Sequence, residues 1–336
     1  MSNGSSNILS VQCGFDAAVE ALQAGLLVAV PTETVYGLAA DATNASAVQA
    51  IYKAKGRPSF NPLIAHVSGL DMAQRYGRFN ALALELAKRY WPGPLTIVVP
   101  LQGDHKIADE VTAGLDTIAL RHPCGIMADL AHAVDAPLAA PSANTSGTIS
   151  PTLASHVADD LGSKLAVIID SGPCAIGLES TIVKPVDDGL VLLREGGISA
   201  DVLEAAFGPL LRPNAETTEP TKVEAPGMLL AHYAPSVPVR LNAVSVNPGE
   251  ALLRFGQSDL QHDGLTLNLS PRGDIDEAAH NLFAMLHELD RPGVTAIAVE
   301  PIAKEGLGRA INDRLTRAAQ GRDEPGQLQV SAGDRA

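Results

Sequence analysis

Aromatic residues are scarce in this chain, with six Phe, five Tyr and one Trp among 336 residues. A nucleic-acid platform of stacked rings is therefore poorly supplied. Cations are in deficit too: 24 Lys and Arg face 38 Asp and Glu, a formal net charge of −14. That balance speaks against a surface that grips phosphate backbones broadly. The three cysteines, Cys13, Cys124 and Cys174, are odd in number, far apart and without a CxxC pair. They suggest neither a disulfide framework nor a zinc site, and a reducing cytoplasm suits them. Cys124 and Cys174 read as small buried residues. No apolar run approaches the roughly 18–20 residues of a bilayer span. The opening "MSNGSSN" lacks the basic and apolar stretches of a secretory signal and reads as a short disordered tail. Also missing are a glycine loop closed by Gly-Lys-Ser/Thr, a strand-to-helix GxGxxG and a GxSxG elbow; "GLGRA" (306–310) begins the second and does not finish it. His280 and His287 share a helix face at a spacing poor for a metal, and that face reads as solvated.

What is present is an ordinary globular composition, 46% apolar and 18% charged, long enough for two domains at ~100–200 residues each. Residues 8–211 alternate helical and strand-like segments. "FDAAVEALQAG" (15–25), "NASAVQAIYKAK" (44–55, with Asn44 as N-cap) and "NALALELAKRY" (80–90) carry helical periodicity. "LLVAV", "PLIAHV", "LTIVVP", "DTIALR", "PLAAP", "LAVIID", "STIVKP" and "LVLLR" read as strands. Too many strands follow one another without helices for a simple doubly wound sheet, so an α/β fold with a mixed sheet and packed helices is expected. A Pro-, Thr- and Glu-rich stretch then marks a linker, taken as 212–238. A smaller α/β domain, 239–325, follows with strands at "VPVRL", "LLRFG", "LTLNL" and "VTAIAVE" and an amphipathic helix over 275–290.

Polar residues gather at strand ends and in loops. "PTETVYG" (31–37) places Thr32, Glu33 and Thr34 just past a buried strand, where open α/β sheets hold ligands. "KAKGRPSFNPLIAH" (53–66) concentrates Lys53, Lys55 and Arg57 in an otherwise acidic chain. "APSANTSG" (140–147) and "GLESTI" (177–182) supply hydroxyls and amides, and "LLREGG" ends a strand at Arg194. Singly, these are turn chemistry, helix caps and cations at helix ends. Together they suit an anionic, oxygen-rich ligand such as a nucleotide polyphosphate.

These motifs, with "WPGPLT" and "VTAGLDTIALR", occur in the order of the threonylcarbamoyl-adenylate synthase family, and the stretch Pro31–Arg194 closely resembles its YrdC-like domain. "PGMLLAHYAP" (226–235) and the C-terminal "GLGRAINDRLTRA" resemble the long, two-domain form. The resemblance implies a YrdC-like twisted mixed sheet plus a smaller Rossmann-like α/β domain. It implies synthesis of threonylcarbamoyl-AMP and pyrophosphate from L-threonine, bicarbonate or CO2, and ATP, with Mg2+ carried by the nucleotide. A separate transferase complex would then modify tRNA, with direct tRNA contact weak or indirect. By motif position Lys55, Arg57, Ser142 and Asn144 form the catalytic signature. Thr34, His66, Arg121, Ala140 and Ser180 would hold threonine. Arg57, Asn61, Thr117, Ser142, Ser150, Arg194 and Tyr233 would contact ATP, with the linker as a lid over the mouth. Where relatives often carry basic or aromatic residues in the linker, this chain has Leu229, Leu230 and Ala231.

The chemistry agrees. Carboxylate recognition suits Arg121 at a strand end, and adenylation of a carbamate needs positioning and charge neutralisation rather than a covalent nucleophile. Two other classes compete. An RNA-binding, translation-associated module is disfavoured by the net charge and the shortage of rings. A carbamoyl-handling enzyme acting on a protein would bring zinc-finger or acylphosphatase-like sequence, and none is visible. If Arg57 neutralises the phosphates, Arg57→Ala abolishes product formation; turnover near that of the unaltered protein would refute its assignment.

Overall fold

The computed structural model describes residues 7–212, Pro226 and residues 232–321. The tail beyond residue 321 and most of the expected linker, Leu229, Leu230 and Ala231 included, lie outside the described residues.

Ten strands build the first sheet: β1 (Ile8–Ser10), β2 (Val28–Val30), β3 (Gly37–Asp41), β4 (Ile64–His66), β5 (Leu95–Pro100), β6 (Thr117–Arg121), β7 (Leu138–Ala139), β8 (Val167–Asp170), β9 (Thr181–Val186) and β10 (Gly189–Arg194). Their order is β1-β8-β2-β3-β7-β4-β6-β5-β9-β10. The sheet is mixed: β4 and β6 pair in parallel, whereas β7 runs antiparallel to β4 and β5 antiparallel to β6. Eight helices pack on it: α1 (Val11–Gln23), α2 (Ala45–Lys55), α3 (Leu70–Tyr76), α4 (Ala81–Tyr90), α5 (Asp109–Thr112), α6 (Ile126–Ala133), α7 (Ala154–Leu161) and α8 (Ala200–Phe207). Asn44 caps α2 as its sequence suggests, accepting from the Ala47 amide at 3.2 Å. Strand β3 and helices α3, α6, α7 and α8 carried too little local pattern to be expected, being short or rich in small residues.

Side-chain alternation in the central strands makes two unlike faces. Ala65 of β4, Leu120 of β6 and Ile97 of β5 point into the main core with Ile51, Leu86 and Val157 from the helices. Ile64, Ala119, Val98 and Ile182 point the other way into a small apolar floor. His66 and Arg121, two residues on from Ile64 and Ala119, share that second face and are register partners.

The second sheet holds β11 (Val239–Arg240), β12 (Ala251–Arg254), β13 (Thr266–Asn268) and β14 (Ile297–Val299) in the order β11-β14-β12-β13, every pair parallel. Helices α9 (Ile275–Leu289) and α10 (Gly308–Ala319) accompany it. Val35, Ile149 and Leu178 of the first unit lie in the same hydrophobic cluster as Phe283, Leu286 and Ile311 of the second, so the two units share a core. The face of α9 read as solvated is in fact interface. His280 Nδ1 lies 2.9 Å from the Ala175 carbonyl, and His287 Nε2 lies 3.2 Å from that of Ser150. The His287 ring also stacks on His156, centroids 3.9 Å apart. A polar face on one helix cannot reveal that it meets another domain's carbonyls instead of water. Cys174 is buried as expected, but Cys124 is exposed, because it sits in the loop between β6 and α6 rather than in either element.

The two units approach closely at Gly177, whose φ is +76°. A Cβ there would stand 2.4 Å from the His280 carbonyl oxygen of α9. Gly177→Ala should therefore lower stability by about 2 kcal/mol or more through left-handed strain plus overpacking. A urea midpoint unchanged by the substitution would show that the interface yields freely.

Candidate active site

The site is assembled from strand ends and the loops after them. Helix α2 stops at Gly56, φ +60°, and the reversal turns Arg57 inward. Arg57 is then fixed by its own loop, Nε donating to the Asn61 carbonyl at 3.2 Å and Nη2 to that of Pro62 at 2.9 Å. Burial pushes its pKa down to about 10. Lys55, on the last turn of α2, is buried and donates to the Ser142 carbonyl at 2.6 Å and to the Asn144 carbonyl. Its ammonium thus organises the "SAN" loop rather than facing open space, and burial lowers its pKa well below the usual lysine value. Asn144 turns its amide back to the Thr145 and Thr148 carbonyls at 2.9 and 3.0 Å.

Arg121 donates from Nη1 to Thr34 Oγ1 at 2.9 Å and from Nε to the Gly93 carbonyl at 3.2 Å. Its Nη2 lies 2.7 Å from Glu33 Oε1 but is not aligned for a hydrogen bond, so that contact is an ion pair alone. Arg194 donates from Nε and Nη2 to the Ser180 carbonyl, at 3.1 and 2.8 Å, and from Nη2 to Ser180 Oγ at 3.1 Å. Ser180 Oγ in turn meets Thr96 Oγ1 at 2.7 Å. Glu179 accepts the Ser150 hydroxyl at 2.6 Å.

These side chains surround a cavity of about 50 Å³, little more than the ~30 Å³ share of one liquid water. Nine residues expected from sequence stand on its wall: Thr34, Arg57, His66, Arg121, Ala140, Ser142, Ser180, Arg194 and Tyr233. Lys55, Asn61, Thr117, Asn144 and Ser150 do not. Lys55 and Asn144 brace the loop that carries Ser142, Ser150 contacts the wall through Glu179, and Thr117 begins β6 beside Pro100 at the far end of that strand from Arg121. The wall also holds Thr32, Glu179, His232 and Pro226. Of these, Glu179 and His232 stood inside quoted motifs without being singled out, since neither has a sequence neighbour that marks it. Four wall atoms, His66 Nδ1, Arg121 Nη2, His232 Nδ1 and the Tyr233 hydroxyl, are buried without an aligned hydrogen-bond partner. Buried polar atoms in native proteins are nearly always paired, so such a convergence is the mark of a polar ligand's site. Among the described residues, no group of three His, Cys, Asp or Glu is placed to hold a metal.

Three histidines at the site and at the nearby interface are held neutral. Burial, reinforced by Arg121, pushes His66 down to about 3. Burial also pushes His232 down to about 3, with Arg57, Lys55 and Arg314 adding to the fall. Burial and the stacked His287 push His156 down to about 4. Because the unfolded chain takes up these protons near pH 6.5 while the folded one resists, stability should decline as pH falls from about 6.5 toward 4. Melting temperatures from pH 7.5 to 4 should drop from about pH 6.5, above the range in which ordinary carboxylates titrate; a flat profile down to pH 5 would contradict the burial of neutral imidazoles.

Comparison with known proteins bears directly on this cavity. A family model described as "Telomere recombination" matches residues 20–196, and one described as "Threonylcarbamoyl-AMP synthase, C-terminal domain" matches residues 198–320. The threonylcarbamoyl-AMP synthase of Bacillus subtilis is 39% identical over 323 residues, covering 91% of this chain and 92% of the relative. That of Pyrococcus abyssi is 38% identical, covering 89% of this chain and 92% of the relative. The crystal structure of P. abyssi Sua5 complexed with L-threonine superposes with a TM-score of 0.85 at 36% identity, covering 93% of this chain and 97% of that one. With both units matched and likeness running through nearly its whole length, the chain belongs to the threonylcarbamoyl-AMP synthase family.

Proposed function

We propose that this cavity joins L-threonine, bicarbonate or CO2, and ATP into threonylcarbamoyl-AMP with release of pyrophosphate. The observation that carries the reading is the set of buried atoms without an aligned hydrogen bond, His66 Nδ1, Arg121 Nη2, His232 Nδ1 and the Tyr233 hydroxyl, in a cavity whose wall also carries Arg57 and Arg194. A threonine carboxylate on Arg121 satisfies Nη2, and the neutral His66 serves the amino acid's polar atoms without adding charge. Thr34, Ala140 and Ser180 complete that subsite. A carbamate formed on the threonine nitrogen attacks the α-phosphorus of ATP through oxygen; the P–O bond to the β-phosphate breaks and pyrophosphate leaves with the electron pair. Arg57 and Arg194 neutralise the phosphates, and Ser142 and Asn61 position the nucleotide with Thr117, Ser150 and Tyr233. Lys55 and Asn144 act by holding the Ser142 loop.

Mg2+ would enter as the nucleotide's own counterion. The one carboxylate on the cavity wall, Glu179, already gives its two oxygens to Ser150 and Arg314, which fits a metal carried by substrate better than one caged by protein. Pro226, His232 and Tyr233 narrow the cavity far below the ~300 Å³ of a usual ligand pocket, so admission of ATP requires that segment to withdraw and return as a lid. We assign catalysis to residues 8–211, the lid to 212–238 and a supporting unit to 239–325, in a cytoplasmic enzyme that supplies a separate tRNA-modifying complex.

The test is pyrophosphate release from ATP by the purified protein, with threonine and bicarbonate each omitted in turn. Release that needs both, with an adenylated threonine derivative by mass, is expected. Release indifferent to threonine would mean another acceptor, and tight tRNA binding without any release would favour an RNA-binding module.

A further inference from the structure

The second unit contributes no strand to the cavity, yet its last helix grips the groups that form it. Arg314 of α10 has a side chain with no solvent exposure. Its Nε donates to Glu179 Oε2 at 2.8 Å, Nη2 to the Glu195 carbonyl at 2.8 Å and Nη1 to Asp313 Oδ2 at 2.6 Å. Glu179 is on the cavity wall, and Glu195 follows Arg194, which is also on it. The guanidinium carbon sits 5.0 Å from the centre of the Tyr233 ring, and that ring stacks on Phe283 of α9 at 5.6 Å. One buried cation therefore touches three separate pieces of the site's surroundings: the turn before β9, the end of β10 and the residue that roofs the cavity.

We propose that Arg314 is a positioning residue of the synthase site, through which the second unit fixes Glu179, the backbone after Arg194 and the ring of Tyr233. The proposal rests on the reading of the cavity given above. A plain structural ion pair would need one partner, whereas here the fork of donors and the flat face of the guanidinium are all engaged, a geometry lysine cannot reproduce. The charged and titratable groups facing Glu179 are Arg314 and Asp313 from α10, Arg194 from β10, and His232 and Tyr233 from the roofing segment. Burial pushes the Glu179 carboxyl up, but Arg314, Arg194 and the Ser150 hydroxyl outweigh it and leave the group below the usual glutamate value. Without Arg314 the balance shifts toward burial, the Glu179 carboxyl rises toward protonation, and the negative charge on the wall weakens.

The experiment uses the full chain and compares Arg314→Met, Arg314→Lys, Glu179→Gln and the double variant R314M/E179Q. Pyrophosphate release is measured against ATP and threonine from pH 5.5 to 9, with a thermal melt of each protein. R314M should lose about 10²-fold in kcat/KM at pH 7, the cost of misplacing site groups by about an ångström. It should also gain an acid limb, activity falling toward low pH more steeply than in the unaltered protein, that E179Q removes in the double variant. R314K should show a smaller loss without that limb. A lowered melting temperature with kcat, KM and pH profile unchanged overturns the proposal, because it leaves Arg314 a mere strut. Should R314M fail to fold, R314K with unaltered kcat/KM overturns it equally. An unaltered protein that releases no pyrophosphate refutes the reading of the cavity itself and takes this proposal with it, whereas an active one with indifferent Arg314 variants refutes this proposal alone.

Discussion

The site depends on burying more cations than its carboxylates neutralise. Lys55, Arg57, Arg121, Arg194 and Arg314 are all nearly inaccessible to solvent, and taking an unpaired charge out of water is costly. Carboxylates are the remedy at Arg121, beside Glu33, and at Arg314, beside Glu179 and Asp313. Lys55, Arg57 and Arg194 rely on carbonyl oxygens instead. Lys55 donates to the Ser142 and Asn144 carbonyls, Arg57 to those of Asn61 and Pro62, Arg121 to that of Gly93, and Arg194 to that of Ser180. Peptide dipoles satisfy the N–H donors and leave the positive charge in place. The lowered pKa values of Lys55, Arg57 and Arg194, caused first by burial, express the strain that remains. Under the proposed function, a polyphosphate or a carboxylate would relieve it, drawing on charge that the fold leaves incompletely compensated.

The same constraint explains the loops. Carbonyls aimed at side-chain cations are supplied most readily by backbone outside the strand ladders, and the regular elements stop where the cations sit. Gly56 ends α2 one residue before Arg57, β7 is only two residues long before the Ser142 loop, and β9 begins just after Ser180. The sheet supplies the opposite quality, rigidity. The parallel pair β4 and β6 sets His66 beside Arg121 in register, while the neighbouring residues of the same strands anchor in the main core. Three carboxylates stand against two of these arginines: Glu33 against Arg121, and Glu179 and Asp313 against Arg314. Glu33 pairs by proximity without an aligned hydrogen bond, a weaker hold that leaves Arg121 free to accept a second carboxylate.

Much of this was legible in the sequence because strand ends announce themselves. The apolar runs before Thr32, His66, Arg121, Ser142 and Arg194 placed those residues at the ends of elements, and the mixed α/β character followed from strands crowding one another. What stayed hidden was pairing at a distance. Glu179 and Arg314 are 135 positions apart, and no periodicity links them. His287 looked solvent-facing because helical period reports which face is polar, not what that face meets. Lys55 read as a phosphate ligand because its charge is visible in sequence, whereas the two carbonyls that occupy it belong to a turn that only the folded chain brings near.

An acidic exterior with a cationic cavity is consistent rather than contradictory once distance is considered. At physiological ionic strength the screening length is ~8 Å, so the net charge of −14 is felt weakly by an anion already at the mouth. Inside, screening by salt is lost and the effective dielectric falls, so the few cations on the wall outweigh the many carboxylates outside. Tyr233, His232 and Pro226 deepen that contrast by narrowing the cavity around the cations. Tyr233 is itself held between Arg314 and Phe283 of the second unit. The C-terminal unit thereby helps keep the cavity narrow, and enclosure in a medium of low dielectric gives a handful of carbonyl-tethered cations their strength.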